Sequence, residues 1–231
     1  MRYVISMVIG LAAGCLADLC IRRMPDDESL FSRGFRLQIS GQSLWIELLM
    51  GALFVFHAGF FAEAWLRMIF VDVLSFYAVS ISVIDYRHRI IPDELSLSLL
   101  AAGLLASFFN PYLAGRPGFR FLHSLSASIG GGLLMMLTAY AGEKAFKKEA
   151  LGGGDIKLIA ASAAALGWAG VAGPLFLGSL SGGGAALLLL ISRKKKLGET
   201  IPFGPFLCVG IYFTALFPQC LQSLFRFQIG P

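Results

Sequence analysis

Long apolar stretches, separated by short charged or Gly/Pro-rich breaks, fill almost the whole of this chain. They lie at roughly residues 3–21, 44–61, 67–85, 94–110, 122–141, 155–169, 171–191 and 203–222. A helix that crosses a bilayer needs about 20 mostly apolar residues. The composition agrees, because 57% of the 231 residues are apolar and only 14% are charged. We therefore predict an all-α polytopic membrane protein with about eight transmembrane helices, forming a single domain over residues 1–231.

The break between the sixth and seventh stretches leaves the number of helices open. It is only a turn at Gly167–Pro174, so seven helices, one of them long and kinked, is the alternative. Cytoplasmic loops of membrane proteins are rich in Lys and Arg. With eight helices and both termini on the extracytoplasmic side, the cytoplasmic side carries Arg22, Arg23, Arg33, Arg36, Arg87, Arg89, Lys144, Lys147, Lys148, Lys157, Arg193, Lys194, Lys195 and Lys196. The other side keeps Arg2, Arg67, Arg116, Arg120 and Arg226. This asymmetry favours eight helices, with residues 22–43 forming a short cytoplasmic loop.

The excess of basic residues and the spacing of the cysteines indicate which molecules and metals this chain can bind. The net charge is +5, and in a membrane protein such a surplus reports orientation and contact with acidic lipid headgroups, as in the run Arg193–Lys196. We therefore expect the lipid bilayer as a partner and no nucleic acid. Cys15, Cys20, Cys208 and Cys220 show no CxxC or Cys/His spacing, so we expect no metal site and no disulfide.

Two aspartates stand at the ends of predicted spans. Asp85 ends the third stretch, immediately before Arg87 and Arg89, and Asp155 opens the sixth. Ionisable groups at membrane depth are costly, so each is a functional-site hypothesis. In the predicted topology the third helix runs inward and the sixth runs outward. Both carboxylates then lie at the cytoplasmic interface, where they can meet although the chain between them is long.

A facing pair of carboxylates has a defined chemistry. Like charges within a few ångströms share one proton, so one carboxylate can act as a base while its partner acts as an acid. The base takes a proton from a water that attacks a peptide carbonyl, and the acid donates a proton to the carbonyl oxygen. We therefore predict Asp85 and Asp155 as the catalytic residues of a peptidase that needs neither a metal nor a nucleophilic side chain.

Glycine runs suggest two different roles. Gly152, Gly153 and Gly154 lie directly before Asp155, where a backbone without side chains lets an extended substrate approach closely. The runs at 130–132 and 182–184 lie inside predicted helices and fit helix packing instead.

Several other polar residues are weighed against ordinary structural roles. Pro92, Asp93 and Lys157 lie close to the two acids in sequence and are candidates for binding substrate or shaping the site; the alternative for Asp93 is a favourable helix start. Asp72 lies near the outer interface, where hydration or pairing is expected. Asp18 and Glu47 are expected to contact each other or the arginines of the first loop.

The chain resembles the type IV prepilin peptidases, membrane aspartic proteases of the GxGD kind. The resemblance is carried by VIDYRHRIIPDELSL around Asp85 and by GGGDIKL around Asp155, and IPFGPFL at Ile201–Leu207 supports it. It implies that these two aspartates are the catalytic pair. It further implies cleavage of the basic leader peptide of type IV prepilins or pseudopilins at the cytoplasmic face, by a multi-pass protein of the bacterial inner membrane, with no cofactor for proteolysis.

One departure from the family concerns the segment Arg22–Ser43. Bacterial members often carry there an insertion with two CxxC pairs that binds zinc, and many methylate the new amino terminus with S-adenosylmethionine. Here the segment is short and holds no cysteine. The resemblance therefore implies S-adenosylmethionine only if methyl transfer is retained. A proton-coupled membrane transporter and an inactive assembly scaffold are the alternatives to a peptidase.

Overall fold

The computed structural model describes residues 1–24, 41–147, 151–193 and 201–219. Within these ranges the regular elements are helical. They are α1 (Arg2–Arg23), α2 (Gly41–Phe60), α3 (Trp65–His88), α4 (Asp93–Ala106), α5 (Pro117–Phe146), α6 (Gly153–Leu166), α7 (Ala169–Ile191) and α8 (Gly204–Leu216), with a 3₁₀ turn at Ser107–Phe109. The prediction of an all-α chain with eight helices is confirmed. Most of the 22–43 loop, Lys194–Lys196 and Cys220 lie outside the described residues.

The helices differ in how well their lengths suit a bilayer. By length and composition α1, α3, α5 and α7 can each cross a membrane, whereas α2 and α8 are shorter apolar helices. Both α4 and α6 have only 14 residues, which makes each about 21 Å long at 1.5 Å per residue. Eight helices are present in the described ranges, but they are not eight full-length spans.

Large apolar side chains cover much of the outside of the bundle, and several ionisable side chains are buried inside it. Buried positions include Asp72, Asp85 and His57, while large apolar side chains such as Leu122 and Leu188 are exposed on the outside of the bundle. Lipid accepts an apolar exterior and forces polar groups inward to find partners. Together with the apolar helices, this identifies a membrane protein.

Helix α6 lies at the centre of the bundle, packed against α4, α5 and α7. Nearly every residue from Leu158 to Leu166 is buried. The last carbonyls of a helix have no partner within it, and here side chains from outside α6 supply partners. Asn110 Nδ2 donates to the carbonyl of Ala165 at 2.6 Å, and Ser124 Oγ donates to that of Ala164 at 2.6 Å. A short helix is thereby stable without reaching a polar surface at this end.

The break between α6 and α7 is shorter than predicted. It consists of Gly167 and Trp168 alone, because α7 already begins at Ala169 and contains Pro174. Gly167 has φ +64°, which favours glycine and ends α6 sharply. Eight helices, rather than seven with one kinked, therefore describe this region.

Pro174 lies inside α7 because a neighbouring helix compensates for its missing N–H. A proline removes the hydrogen bond to the carbonyl four residues earlier, which here belongs to Gly170. Ser162 Oγ of α6 donates to that carbonyl at 2.5 Å. The hydrogen bond thereby joins the first turns of α7 to the central helix α6.

The two glycine runs predicted to pack helices behave differently. A Cβ at Gly131 would lie 2.7 Å from Val171 Cγ2, and one at Gly182 would lie 3.3 Å from the Phe206 ring. Gly183 and Gly184 have no atom within 4 Å of the place a Cβ would take. Close packing therefore explains most of the first run but only the first residue of the second.

Candidate functional site

Asp85 lies in the last turn of α3 with its side chain buried, and the residue is only 6% exposed. The helix ends just beyond it, where Arg89 takes a left-handed conformation and its N–H donates to the Asp85 carbonyl at 2.9 Å. Asp85 Oδ2 accepts a hydrogen bond of 2.9 Å from the backbone N–H of Gly204, the first residue of α8. Sequence reasoning gave Gly204 no role, although IPFGPFL supported the resemblance.

Asp155 lies half-buried in the first turn of α6, which begins after Gly152. Its backbone N–H donates to the Gly152 carbonyl at 3.1 Å, and its carboxylate accepts a hydrogen bond from the Gly152 backbone. A carboxylate at this position that bonds back to the start of its own helix is half of a capping box. The sequence GGGD therefore fixes both the beginning of α6 and the place of its aspartate.

The structure brings the two aspartates together. The two carboxylates lie within the range of charge–charge interaction with each other and with the side chain of Cys208, one turn into α8 from Gly204. The site is thus built where the carboxyl end of α3 meets the amino ends of α6 and α8. Two carboxylates in one site can divide the roles of base and acid between them.

The three glycines before Asp155 have different surroundings. A Cβ at Gly154 would lie 2.8 Å from Ile91 Cβ, in the connection between α3 and α4. A Cβ at Gly153 would have no atom within 4 Å, and a Cβ at Gly152 would meet only Asp155 Oδ2, at 3.4 Å. The chain's own packing therefore requires a small residue at Gly154, whereas Gly152 and Gly153 remain open to an approaching molecule.

The starts of α4 and α6 are linked by side chains close in sequence to the two acids, namely Pro92, Asp93 and Lys157. Pro92 is buried at the start of α4 and Asp93 is in its first turn, where an acid interacts favourably with the helix amino end. Lys157 Nζ of α6 donates to both oxygens of Asp93, at 2.6 and 2.7 Å. The salt bridge joins the beginnings of α4 and α6, so Asp93 fits both of the roles considered for it.

A narrow cavity of about 220 Å³ runs between α2, α3 and α8. Its lining is almost wholly apolar, with Leu49, Val79 and Val209 among its side chains. Ser82 and Cys208 line it as well, and they lie one turn from Asp85 and from Gly204 respectively. The cavity therefore comes within one helical turn of Asp85, although neither acid lines it.

A second buried polar cluster joins α2, α3 and α8 through a histidine that the sequence analysis did not consider. His57 is 0% exposed; its Nδ1 lies 2.7 Å from Asp72 Oδ1 and its Nε2 lies 3.0 Å from the Tyr212 hydroxyl. With Nδ1 protonated, the ring donates to the carboxylate and accepts from the phenol. Asp72 is therefore paired. The hint in the sequence was a histidine inside an apolar stretch.

Removing the carboxylate of this cluster is expected to destabilise the fold. Asp72→Ala leaves the His57 ring N–H buried without its acceptor, which costs about 1–3 kcal/mol in the free energy of unfolding. Asp93→Ala, which removes a partner from an exposed salt bridge, should cost less than about 1 kcal/mol. Unfolding in detergent measures both variants, and equal losses would contradict the role given to Asp72.

The remaining acids have structural partners. Asp18 Oδ2 lies 2.8 Å from Arg22 Nε, one helical turn away, as expected for an acid near the first loop. Glu47 accepts a hydrogen bond from the Cys15 thiol at 3.2 Å. The first contact lies within α1, and the second joins α1 to α2.

Comparison with known proteins adds independent information. A model of the type IV leader peptidase family matches residues 72–187, which include both Asp85 and Asp155. Proteins named "Prepilin leader peptidase/N-methyltransferase" are similar over most of the chain. The protein from Xanthomonas campestris pv. campestris is 33% identical, and the match covers 74% of this chain and 57% of the relative. The protein from Aeromonas hydrophila is 31% identical, and the match covers 80% of this chain and 61% of the relative. The protein from Pectobacterium carotovorum subsp. carotovorum is 36% identical, and the match covers 61% of this chain and 48% of the relative.

The chain spans about half to three fifths of the length of these curated relatives. No solved structure matches it significantly. The match to the family is thus carried by sequence, over half of the chain.

Proposed function

This chain belongs to the type IV leader peptidase family, and from that premise we propose that it is an aspartic endopeptidase of the membrane that removes the basic leader peptide of type IV prepilins or pseudopilins. The observation that carries the proposal is the meeting of Asp85 and Asp155, which are distant in sequence, at the junction of three helix ends. The relatives are named as prepilin leader peptidases.

The reaction uses the two carboxylates as a pair that holds one proton. The ionised carboxylate takes a proton from water while the water oxygen forms a bond to the scissile carbonyl carbon. The other carboxylic acid gives its proton to the carbonyl oxygen, which produces a neutral tetrahedral diol. When the diol collapses, the C–N bond breaks, the leaving nitrogen takes the proton of the protonated carboxyl, and one diol hydroxyl gives its proton to the ionised carboxylate. One water is consumed, and the pair ends with its single proton.

The orientation follows from the distribution of charge. We propose that both termini lie outside and that the two acids lie at the cytoplasmic face of the bacterial inner membrane. The basic residues of the sequence support this orientation, since most of them then fall on the cytoplasmic side. A substrate with a basic leader in the cytoplasm and an apolar helix in the bilayer would present its scissile bond at the same depth.

The substrate would lie across the open glycines. Gly152 and Gly153 leave room beside Asp155 for an extended backbone, and exposed Lys157 is engaged by Asp93, which leaves its charge partly balanced. The apolar cavity between α2, α3 and α8 comes within one helical turn of Asp85. These features suit a substrate that is polar on one side of the cleaved bond and apolar on the other.

Methyl transfer is a separate proposal. The relatives are named N-methyltransferases as well as peptidases, but the cysteines of the family's zinc insertion are lacking between α1 and α2. In the ranges described by the structure, His, Cys, Asp and Glu side chains do not gather in threes that could hold a metal ion. The residues therefore do not fit a zinc site, and we propose that S-adenosylmethionine is used only if methyl transfer is retained.

A proton-coupled transporter is the second candidate function, because the cluster of His57, Asp72 and Tyr212 places titratable groups inside the bundle. The two functions make different demands on this cluster. A transporter needs the Asp72 carboxylate for its activity, whereas the peptidase needs it only for stability. An inactive assembly scaffold would need the cluster for stability and would not need the acid pair.

Mass spectrometry of a co-expressed prepilin tests the peptidase directly. The expected result is a substrate shortened at one bond after a glycine, with the mass of the new amino terminus showing whether a methyl group has been added. The same prepilin expressed without this protein is the control. A substrate that keeps its full leader when the membrane protein is present and folded would refute the proposal.

A further inference from the structure

The contact between Gly204 and Asp85 ties the amino end of α8 to one of the two acids. The Gly204 N–H is among the first four of its helix, which have no acceptor within the helix. It donates to Asp85 Oδ2 at 2.9 Å, and this bond is buried. The position of that oxygen is therefore set by the backbone of another helix and not by the rotamer of Asp85 alone.

The space around Gly204 explains why a glycine stands there. A Cβ on this residue would lie 2.6 Å from Asp85 Oδ2, 2.9 Å from its Cγ and 3.2 Å from its Cβ. Its φ is outside the left-handed region, so the backbone itself would accept any side chain. What glycine provides at this position is the close approach of main chain to carboxylate.

Helix α8 packs closely against α7 from its first turn, since a Cβ at Gly178 would lie 3.3 Å from Leu207 Cα. A Cβ at Gly210 would lie 2.6 Å from Pro174 Cα, so the backbones of α7 and α8 are in close contact there. Near its other end, the Tyr212 hydroxyl bonds to His57 of α2. Because α8 cannot easily retreat, a larger residue at Gly204 would displace the Asp85 carboxylate rather than the helix.

We propose that Gly204 is a positioning residue for Asp85: its N–H orients the carboxylate, and its missing side chain leaves the space that the carboxylate occupies. This inference rests on the proposed function, in which Asp85 is one of the two acids. Restoring an ordinary contact of 3.4 Å would move Oδ2 by roughly 0.8 Å, and a misplacement of about 1 Å can cost about 10²-fold in rate.

The test compares Gly204→Ala with Gly183→Ala in purified protein that cleaves a prepilin. Gly204→Ala should lower kcat by about 10²-fold with little change in KM, because the substrate does not depend on Gly204 for binding. Gly183 lies in α7 with open space around its Cα, so Gly183→Ala should leave kcat unchanged. A Gly204→Ala variant with the kcat of the unmodified protein would overturn the proposal.

A second measurement needs no activity. Gly204→Ala should lower the unfolding temperature of the unmodified protein, and the loss should shrink or vanish in the Asp85→Ala background, where the carboxylate that the new methyl group meets is gone. If Gly204→Ala does not fold, Asp85→Ala should restore folding. Equal losses in both backgrounds would refute the contact. If Asp85→Asn cleaves the prepilin at the rate of the unmodified protein, the proposed catalytic role of Asp85 fails, whether or not Gly204 and Asp85 are coupled in stability.

Discussion

Replacement of either Asp85 or Asp155 with Asn is expected to lower the rate of leader removal by about 10²–10⁴-fold or more, because an amide can neither accept a proton from water nor donate one to a carbonyl oxygen. Since the two carboxylates work as one pair, the double variant should be little worse than either single variant. Asn has nearly the shape of Asp, so the bundle should still insert and fold.

The measurement is the fraction of a prepilin that is processed after a fixed time in membranes containing equal amounts of each variant. Glu63→Gln is the matched control: it removes one negative charge from an exposed residue between α2 and α3, at the opposite end of α3 from Asp85. It should process the substrate normally. Normal processing by both Asp→Asn variants would show that the pair is not catalytic.

Activity is expected to follow a bell-shaped curve with pH, with both limbs belonging to the pair. The reaction needs one proton on the two carboxylates together. Acidification adds a second proton and removes the base, so the rate should fall by about tenfold per pH unit on the acid limb. Alkalinisation removes the shared proton and with it the acid, so the rate falls again at high pH.

Initial rates of prepilin cleavage between about pH 4 and pH 9 would give this curve. The tryptophan fluorescence of the same samples is the control, because it shows whether the protein stays folded across the range. A rate that stays flat down to about pH 4 in folded protein would contradict a pair that shares one proton.

Local features of the sequence were enough for the fold class and the number of helices. Apolar stretches of a given length specify helices in a bilayer whatever surrounds them, and the predicted stretch at 67–85 corresponds closely to α3, Trp65–His88. The two aspartates could also be chosen from sequence, since an acid at the end of an apolar stretch is costly unless it is used.

Features that depend on neighbouring helices were beyond the reach of the sequence. Pro174 looked like part of a break, yet it lies within α7 because Ser162 of the central helix satisfies the carbonyl it frees. His57 went unconsidered because its partners are 15 and 155 residues away along the chain. The contact between Gly204 and Asp85 spans 119 residues, and no local pattern encodes it.

The sequence by itself therefore determined that this chain forms apolar helices with an acid at the end of one and at the start of another. Only the tertiary structure decided that these ends meet, that the backbone of a third helix reaches one of the acids, and which small residues are required by packing. The physical reason is that burial of apolar surface acts on each segment separately, whereas hydrogen bonds and close contacts between helices exist only after the segments have packed.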